Sequence, residues 1–237
     1  MNRLQYIFEN NITLKSDKWI HYFEIYEKHF GHLVGKDITL VEVGVSGGGS
    51  LQMWRKYFGP NAKIVGIDND PNCLSHLAHY DSNTSVIIGD QGDTSFWDQV
   101  LPSIGPIDIF IDDGGHLYYQ QITTFDKVFP VIKENGVFLC EDTHTNFHQN
   151  IYEKNFLRHS YNHITAMHKH WSRYENLPGY ELEPAVRELH SVSFYDSVVV
   201  FEKRKSTKCI DRKIVNENGV KSQLVVLDKE TGMYSGW

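Results

Sequence analysis

From residue 37 onward the sequence alternates five short apolar runs with longer amphipathic segments. Neighbouring parallel strands need a long crossover connection, so strands of about five residues alternating with helices predict a parallel sheet covered on both faces. This pattern is typical of the doubly wound, Rossmann-like α/β class. The apolar runs are Ile38–Val43, Lys63–Ile67, Ser85–Ile88, Ile107–Ile111 and Val137–Cys140, and the helix-like segments are Ser50–Phe58, Asn72–His79, Thr94–Val100 and Tyr118–Ile132.

Two further strand-like runs near the C-terminus, Val186–Ser193 and Ser197–Lys203, are separated by only three residues. A connection that short predicts a hairpin, which adds antiparallel strands to an otherwise parallel, seven-stranded sheet. The expected division of the chain is a helical segment over residues 1–36, a catalytic domain over 37–205 and a tail over 206–237. Residues 143–185 are expected to be an insertion on the acceptor side.

The overall charge limits the classes of partner. The 237 residues carry a formal net charge of −7, which argues against a general binder of nucleic acid or of anionic membranes. No apolar stretch has the length of a membrane span, and the N-terminus lacks the apolar core of a signal peptide. Three cysteines without metal-ligand spacing indicate ordinary thiols. We therefore expect a soluble, cytoplasmic protein with no nucleic-acid or membrane partner.

The first three predicted strands each end in residues suited to an adenosyl ligand. A glycine turn follows the first strand, and its Gly44, Ser46 and Gly47 let the backbone approach a ligand closely. Asp68 ends the second strand, where a carboxylate can accept hydrogen bonds from ribose hydroxyls. Asp90 and Gln91 end the third, where polar groups can meet an adenine edge. The alternatives are a turn without a ligand and an aspartate that caps a helix.

The fourth and fifth predicted strands end in acids. Asp113, Glu141 and Asp142 are expected to converge at the same sheet edge, where like charges repel unless a cation neutralises them. Oxygen ligands favour Mg²⁺ or another hard divalent cation over zinc. His116 follows within three residues of Asp113 and is a candidate general base for a hydroxyl. The alternative is a set of solvated or helix-capping acids.

These features together resemble the class I methyltransferases, and among them the metal-dependent sugar O-methyltransferases of macrolide biosynthesis and the cephalosporin-hydroxylase-like group. The resemblance covers roughly residues 16–203. The motifs that carry it are Asp17-Lys18 with His21, Tyr22 and Tyr26; Glu42-Val43-Gly44-Val45; Gly66-Ile67-Asp68; Gly89-Asp90-Gln91; Ile111-Asp112-Asp113-Gly114-Gly115-His116; Glu141-Asp142; and Ser193-Phe194-Tyr195-Asp196-Ser197.

The resemblance implies a function for the chain and a role for each matched residue. It implies methyl transfer from S-adenosyl-L-methionine to a hydroxyl of a sugar or glycosylated small molecule, and a homo-oligomer. The metal would be held by the three acids, with His116 as base. The residues expected to contact S-adenosylmethionine are Lys18, Glu42, Gly44, Ser46, Gly47, Asp68, Asp90 and Gln91.

Other functions stay open at this point. A nicotinamide-dependent oxidoreductase is disfavoured because Ser46 breaks the dinucleotide pattern G-x-G-x-x-G. A non-catalytic module that binds S-adenosylmethionine and a methyltransferase with a non-sugar acceptor are further alternatives. Nine aromatic or histidine residues are candidates either for an acceptor pocket or for packing: His144, Phe147, His148, Tyr152, Phe156, His159, Tyr161, His163 and His168.

Overall fold

The computed structural model describes residues 1–149, 154–169 and 188–204, together with the backbone of three later strands. Six α-helices and ten β-strands lie in these parts of the chain. The helices are α1 (Arg3–Asn11), α2 (Tyr22–Phe30), α3 (Gly49–Phe58), α4 (Thr94–Ile104), α5 (Tyr118–Val128) and α6 (Phe156–Lys169). The strands are β1 (Thr39–Val43), β2 (Lys63–Asp68), β3 (Thr84–Ile88), β4 (Ile107–Asp112), β5 (Ile132–Cys140), β6 (Leu189–Tyr195), β7 (Val198–Lys203), β8 (Lys208–Val215), β9 (Lys221–Asp228) and β10 (Tyr234–Ser235).

Seven strands form one sheet in the order β3-β2-β1-β4-β5-β7-β6. β1 to β5 pair in parallel, whereas β7 runs antiparallel to both β5 and β6. The order reverses between β1 and β4, which is where ligands bind in open α/β sheets. The predicted fold class, a mostly parallel sheet ending in an antiparallel hairpin, is therefore confirmed.

The apolar runs form strands because both faces of the sheet are buried. Leu40, Ile64 and Ile109 contribute to the apolar core on one face, while Val41 and Phe110 contribute to the core on the other. A strand with apolar side chains on both faces is most stable where helices cover both sides. This burial holds the strand ends at fixed positions.

Helix α2 belongs to the N-terminal part of the chain and packs into the apolar core that contains Leu40, Ile64 and Ile109. Tyr22, Phe23, Tyr26 and Phe30 are buried, and the ring of Tyr26 meets the indole of Trp54 on α3 edge-on at 5.2 Å. Because α2 packs on α3 directly beside β1, the residues just before α2 lie close to the carboxyl ends of the strands. Residues 1–36 thereby contribute to the site as well as to the core.

Several boundaries differ from the sequence-based prediction. The helix predicted to run to Ile132 ends at Val128, since Pro130 cannot continue it, and β5 then begins at Ile132 rather than Val137. The hairpin turn consists of Asp196 and Ser197, whereas the predicted connection has three residues, Phe194 to Asp196. Helix α6, within residues 143–185, was not predicted at all.

The C-terminal part contains β8, β9 and β10, which form a separate antiparallel sheet. The single strand predicted at Gln223–Leu227 lies inside β9. The proposed division into a segment, a domain with an insertion and a tail stays a prediction. Within the described parts of the chain, no helix is both long and apolar enough to cross a membrane.

Candidate active site

One cavity opens where β1 to β5 end. It has a volume of about 390 Å³ and is walled by the turns that follow these strands and by a short stretch before α2. Its lining contains Lys15, Ser16, Asp17, Val43, Gly44, Val45, Ser46, Gly47, Ser50, Asp68, Asn69, Gly89, Asp90, Gln91, Asp113, Gly114, Gly115, His116, Gln120 and Asp142.

The glycine turn after β1 is built tightly against the turn after β4. Gly44 has a φ of 96°, and a Cβ atom added there would collide with the carbonyl oxygen of Asp113. A side chain at this position is therefore excluded by both conformation and space. The Asp113 N–H also donates to the Val43 carbonyl at 3.0 Å, so the two turns form one wall.

Asp68 holds the glycine turn in place. Its Oδ2 accepts hydrogen bonds from the backbone N–H groups of Val45 and Ser46, each at 2.9 Å. Ser46 has a φ of 45°, an uncommon conformation for a residue with a side chain. Asp68 lines the cavity while performing this structural task, and its predicted contact with ribose stays a prediction.

Asp90 and Gln91 lie at the end of β3 but face different surroundings. Asp90 is exposed, and its Oδ1 accepts from the Gly92 N–H at 2.8 Å. Gln91 is buried; its Nε2 donates to Asp112 Oδ1 at 2.9 Å and its Oε1 accepts from the Gly115 N–H at 2.8 Å. The Gln91 side chain therefore positions the turn that carries His116.

A buried ammonium group lies behind the cavity. The Nζ of Lys18 is 2.5 Å from Asp113 Oδ2, 3.0 Å from Glu141 Oε2 and 3.4 Å from Glu42 Oε1, and only 1% of this lysine side chain is exposed. The phenol of Tyr26 donates to Glu141 Oε1 at 2.6 Å. Lys18 is thus a cation that neutralises part of the acid cluster.

The charges around Lys18 do not balance. Burial lowers the pKa of Lys18, but the negative charges of Asp113 and Glu141 outweigh burial and raise that pKa well above its usual range. Burial raises the pKa of Glu141 well above its usual range, and the charge of Asp113 raises it further. One ammonium faces three carboxylates, so the surplus negative charge favours a proton or a second cation nearby.

Glu42 lies behind the cavity and does not line it. Its side chain is fully buried, and its Oε2 accepts a hydrogen bond from Ser50 Oγ at 2.6 Å while Oε1 faces Lys18. Ser50 belongs to α3, so Glu42 links the start of this helix to the Lys18 ammonium. Its predicted contact with S-adenosylmethionine stays a prediction.

A second group of ionisable side chains lies at the rim. One ligand atom from each of Asp113, His116 and Asp142 falls within 4.8 Å of the others, and His116 Nε2 is 3.6 Å from Asp142 Oδ2. Tyr22 donates its phenol hydrogen to Asp142 Oδ1 at 2.6 Å. The three side chains remain between one fifth and one third exposed, so this group faces the cavity.

The backbone at the rim is strained. His116 and Asp142 have φ values of 55° and 52°, in the left-handed region that side chains disfavour. The Thr145 hydroxyl lies 2.9 Å from the carbonyl of His116 and 2.7 Å from that of Asp142. Conformations of this kind persist where surrounding contacts impose them, and here they turn both side chains into one cavity.

Comparison with known proteins identifies the central part of the chain. Residues 41–143 match a protein family described as a methyltransferase domain. Residues 41–143 are a methyltransferase domain. The seven-stranded sheet that β1 to β5 form with β6 and β7 has the order β3-β2-β1-β4-β5-β7-β6, which is the layout of the class I methyltransferases.

The chain is similar to several O-methyltransferases. The 8-demethyl-8-alpha-L-rhamnosyl tetracenomycin-C 2'-O-methyltransferase of Streptomyces olivaceus is 30% identical over 81% of this chain and 53% of its own length. The mycinamicin VI 2''-O-methyltransferase of Micromonospora griseorubida is 34% identical over 54% of this chain and 33% of its own. The chain thus spans about half or less of the length of these relatives.

A solved structure supports the same relationship. The MycE methyltransferase from the mycinamycin biosynthetic pathway, in complex with Mg and SAH, superposes with a TM-score of 0.73 and 26% identity. The superposition covers 85% of this chain and 54% of that one. The resemblance found in the sequence is therefore confirmed.

The methyltransferase domain brings most, but not all, of the predicted site residues to the cavity. Glu141, Lys18 and Glu42 form the buried cluster behind it instead. Tyr22 and Tyr26, to which the sequence motif assigns no role, bond directly to Asp142 and Glu141. The residues that do line it are Gly44, Ser46, Gly47, Asp68, Asp90, Gln91, Asp113, His116 and Asp142.

The nine aromatic and histidine candidates of residues 144–168 lie in different surroundings. Phe156 and His163 are buried, and His159 and His163 pack against the Phe125 ring at 5.5 Å and 5.0 Å. His144 instead stacks on Trp19 at 4.9 Å beside the rim. Phe147, His148, Tyr161 and His168 are exposed, and Tyr152 lies outside the described residues.

The buried acids around Lys18 give a first prediction. Lys18→Met should lower the free energy of unfolding by about 3–5 kcal/mol, because it leaves buried carboxylates without their cation. Chemical denaturation at neutral pH measures this change.

The matched control is Lys15→Met. Lys15 is 81% exposed and lies 3.6 Å from an exposed Asp17, so its removal should cost at most about 1 kcal/mol. Equal losses in the two variants would show that the Lys18 cluster adds no particular stability.

Proposed function

We propose that this chain transfers a methyl group from S-adenosylmethionine to a hydroxyl of a sugar or glycosylated small molecule. The observation that carries the proposal is that the glycine turn, Asp68 and the group of Asp113, His116 and Asp142 all face one cavity. The donor-side and acid-side features thus lie side by side. Relatives named as O-methyltransferases of a rhamnosyl tetracenomycin and of mycinamicin VI support the acceptor class.

The donor side fits an adenosyl ligand. At Gly44 and Gly47 the cavity is lined by backbone atoms without side chains. Asp68 and Asp90 line it with carboxylates at adjacent strand ends. S-adenosylmethionine supplies a methyl carbon already activated by its sulfonium. Lys18 and Glu42 would support this side from behind, since Glu42 bonds to Ser50 in the cavity wall. Their part is to hold the wall rigid around the ligand.

The acid side fits a divalent cation. Asp113 and Asp142 each have one oxygen bonded within the protein, to Lys18 and Tyr22, and both line the cavity. We propose Asp113, Glu141 and Asp142 as ligands, with Glu141 reaching the ion only if Lys18 moves. A bound Mg²⁺ would fix acceptor oxygens and lower the pKa of a hydroxyl. The surplus negative charge around Lys18 supports the presence of this cation.

His116 is proposed as the general base. Its Nε2 would accept the proton of the acceptor hydroxyl, and Asp142 Oδ2 at 3.6 Å would stabilise the resulting imidazolium. The left-handed backbone and the Thr145 hydroxyl hold the imidazole towards the cavity. Since Gln91 binds the Gly115 N–H, the end of β3 also positions this base.

The acceptor is proposed to approach over Trp19. This indole is 46% exposed, stacks on His144 at 4.9 Å, and lies next to Tyr22, which bonds to Asp142. Aromatic faces suit the apolar face of a sugar ring. This arrangement is compatible with a glycosylated acceptor. Homo-oligomerisation stays a prediction.

Calorimetric titration with S-adenosylmethionine, with and without Mg²⁺, tests the donor. We expect micromolar binding of S-adenosylmethionine and none of NAD, because Ser46 occupies the second glycine position of the dinucleotide pattern. Binding of NAD alone would instead indicate an oxidoreductase. Donor binding without turnover of any glycosylated acceptor would indicate a binding module or another acceptor class.

The base gives a second prediction. His116→Ala should lower kcat by about 10²- to 10⁴-fold while leaving the affinity for S-adenosylmethionine unchanged. The control is His32→Ala, an exposed histidine that does not line the cavity. Release of S-adenosylhomocysteine measures turnover, and undiminished turnover of His116→Ala would exclude it as the base.

The metal ligands give a third prediction. Asp142→Asn and Glu141→Gln should each raise the Mg²⁺ concentration for half-maximal activity by at least about ten-fold, because each loses a charged oxygen ligand. Chelation followed by Mg²⁺ should abolish and restore activity of the unaltered protein. If Glu141→Gln is less stable but needs no more Mg²⁺, Glu141 pairs with Lys18 and is not a metal ligand.

A further inference from the structure

A group of three potential ligands lies between α5 and α6, outside the cavity. Asp126 belongs to α5, and His159 and His163 are four residues apart on α6, so both imidazoles share one face of that helix. His159 Nε2 is 3.1 Å from Asp126 Oδ1 and 3.1 Å from His163 Nε2. None of the three lines the proposed active site.

These distances match a metal site. All three ligand atoms lie within 4.8 Å of one another. Zinc binds imidazole nitrogen and carboxylate oxygen at about 2.0–2.1 Å in tetrahedral geometry, which places neighbouring ligand atoms roughly 3.3 Å apart. Both measured separations are close to that edge length, so an ion could bind with only small side-chain movements.

Hydrogen bonds alone account for the contacts of His159 less well than a bound metal ion does. A neutral His159 carries at most one proton on Nε2, yet this nitrogen lies equally close to a carboxylate oxygen and to the Nε2 of His163. One proton cannot point along both contacts. A cation placed among the three atoms interacts favourably with every lone pair at once.

The surroundings close the site on one side and open it on the other. Phe125 contacts both imidazoles, and His163 is only 3% exposed, so the inner side is apolar. The side chain of Asp126 is 56% exposed and that of His159 is 21% exposed. His159 also lines a second, open cavity of about 420 Å³ together with Tyr119 and Arg158. An ion therefore has a path from solvent.

We propose that Asp126, His159 and His163 bind a zinc-like transition-metal ion that fastens α6 to α5. Two nitrogens and one oxygen select Zn²⁺ over the Mg²⁺ suited to the all-oxygen acids of the active site. The open side leaves the fourth position to water. In the sequence, α5 follows His116 and α6 follows Glu141 and Asp142. An ion that joins α5 to α6 would therefore stabilise the packing of these two helices beside the rim.

Cobalt substitution tests the site. Metal-stripped protein is titrated with Co²⁺ in the presence of excess Mg²⁺, and the visible absorption of tetrahedral Co²⁺ is recorded. The variants are His159→Gln and Asp126→Asn, whose side chains are partly exposed and whose replacement should leave the fold intact. His168→Gln is the matched control, an exposed histidine on the same helix outside the group.

We expect wild type and His168→Gln to bind one more equivalent of Co²⁺ than His159→Gln and Asp126→Asn, with the tetrahedral absorption lost in those two. Zn²⁺ should also raise the Tm of wild type, by roughly 5 °C at saturation, but not that of His159→Gln. Equal stoichiometry and spectra in all four proteins would overturn the proposal. So would the absence of tetrahedral Co²⁺ in wild type, which would leave a hydrogen-bonded group only.

Discussion

The buried ammonium of Lys18 is the interaction on which the arrangement of the site depends. It contacts acids from β1 and from the ends of β4 and β5, strands that would otherwise bring negative charges together without compensation. The short segment before α2 delivers it there. That segment is itself anchored to the glycine turn, because Lys15 pairs with Gly48 and its carbonyl accepts from the Gly49 N–H at 2.9 Å. The N-terminal part of the chain thus supplies the cation of the acid cluster.

The strand ends serve both structure and chemistry. Asp68 fixes the glycine turn and Gln91 fixes the turn before His116, although both positions also line the cavity. Residues predicted as ligand contacts are therefore also the residues that shape the walls. The two roles are compatible for Asp68, whose carboxylate borders the cavity. For Gln91 the side-chain amide is bonded within the protein, and its main-chain carbonyl accepts a hydrogen bond from Trp97 Nε1 at 2.9 Å.

Much of the fold follows from local pattern, and the errors have identifiable causes. Short apolar runs buried on both faces predicted β1 to β4 closely. β5 begins five residues earlier than predicted because Ile132 already pairs with Ile107, although a polar stretch that includes Lys133 and Glu134, where the register shifts, separates it from the apolar run. Helix α6 was missed because its buried residues, including Phe156 and His163, are polar or widely spaced. Only the packing of Phe125 and Phe201 against them shows which face is inward.

The sequence by itself determined the class of fold, the strand ends that carry chemistry and the family resemblance, because these depend on local periodicity and on short motifs. Only the tertiary structure decided which acids lie at the rim of the cavity and which surround Lys18. Asp113 and Asp142 meet His116 at the rim, while Glu141 and Glu42 surround Lys18 behind it. Lys18 and Glu141 are more than one hundred residues apart in sequence, and charge pairing over that separation depends on chain topology and burial, which no local pattern contains.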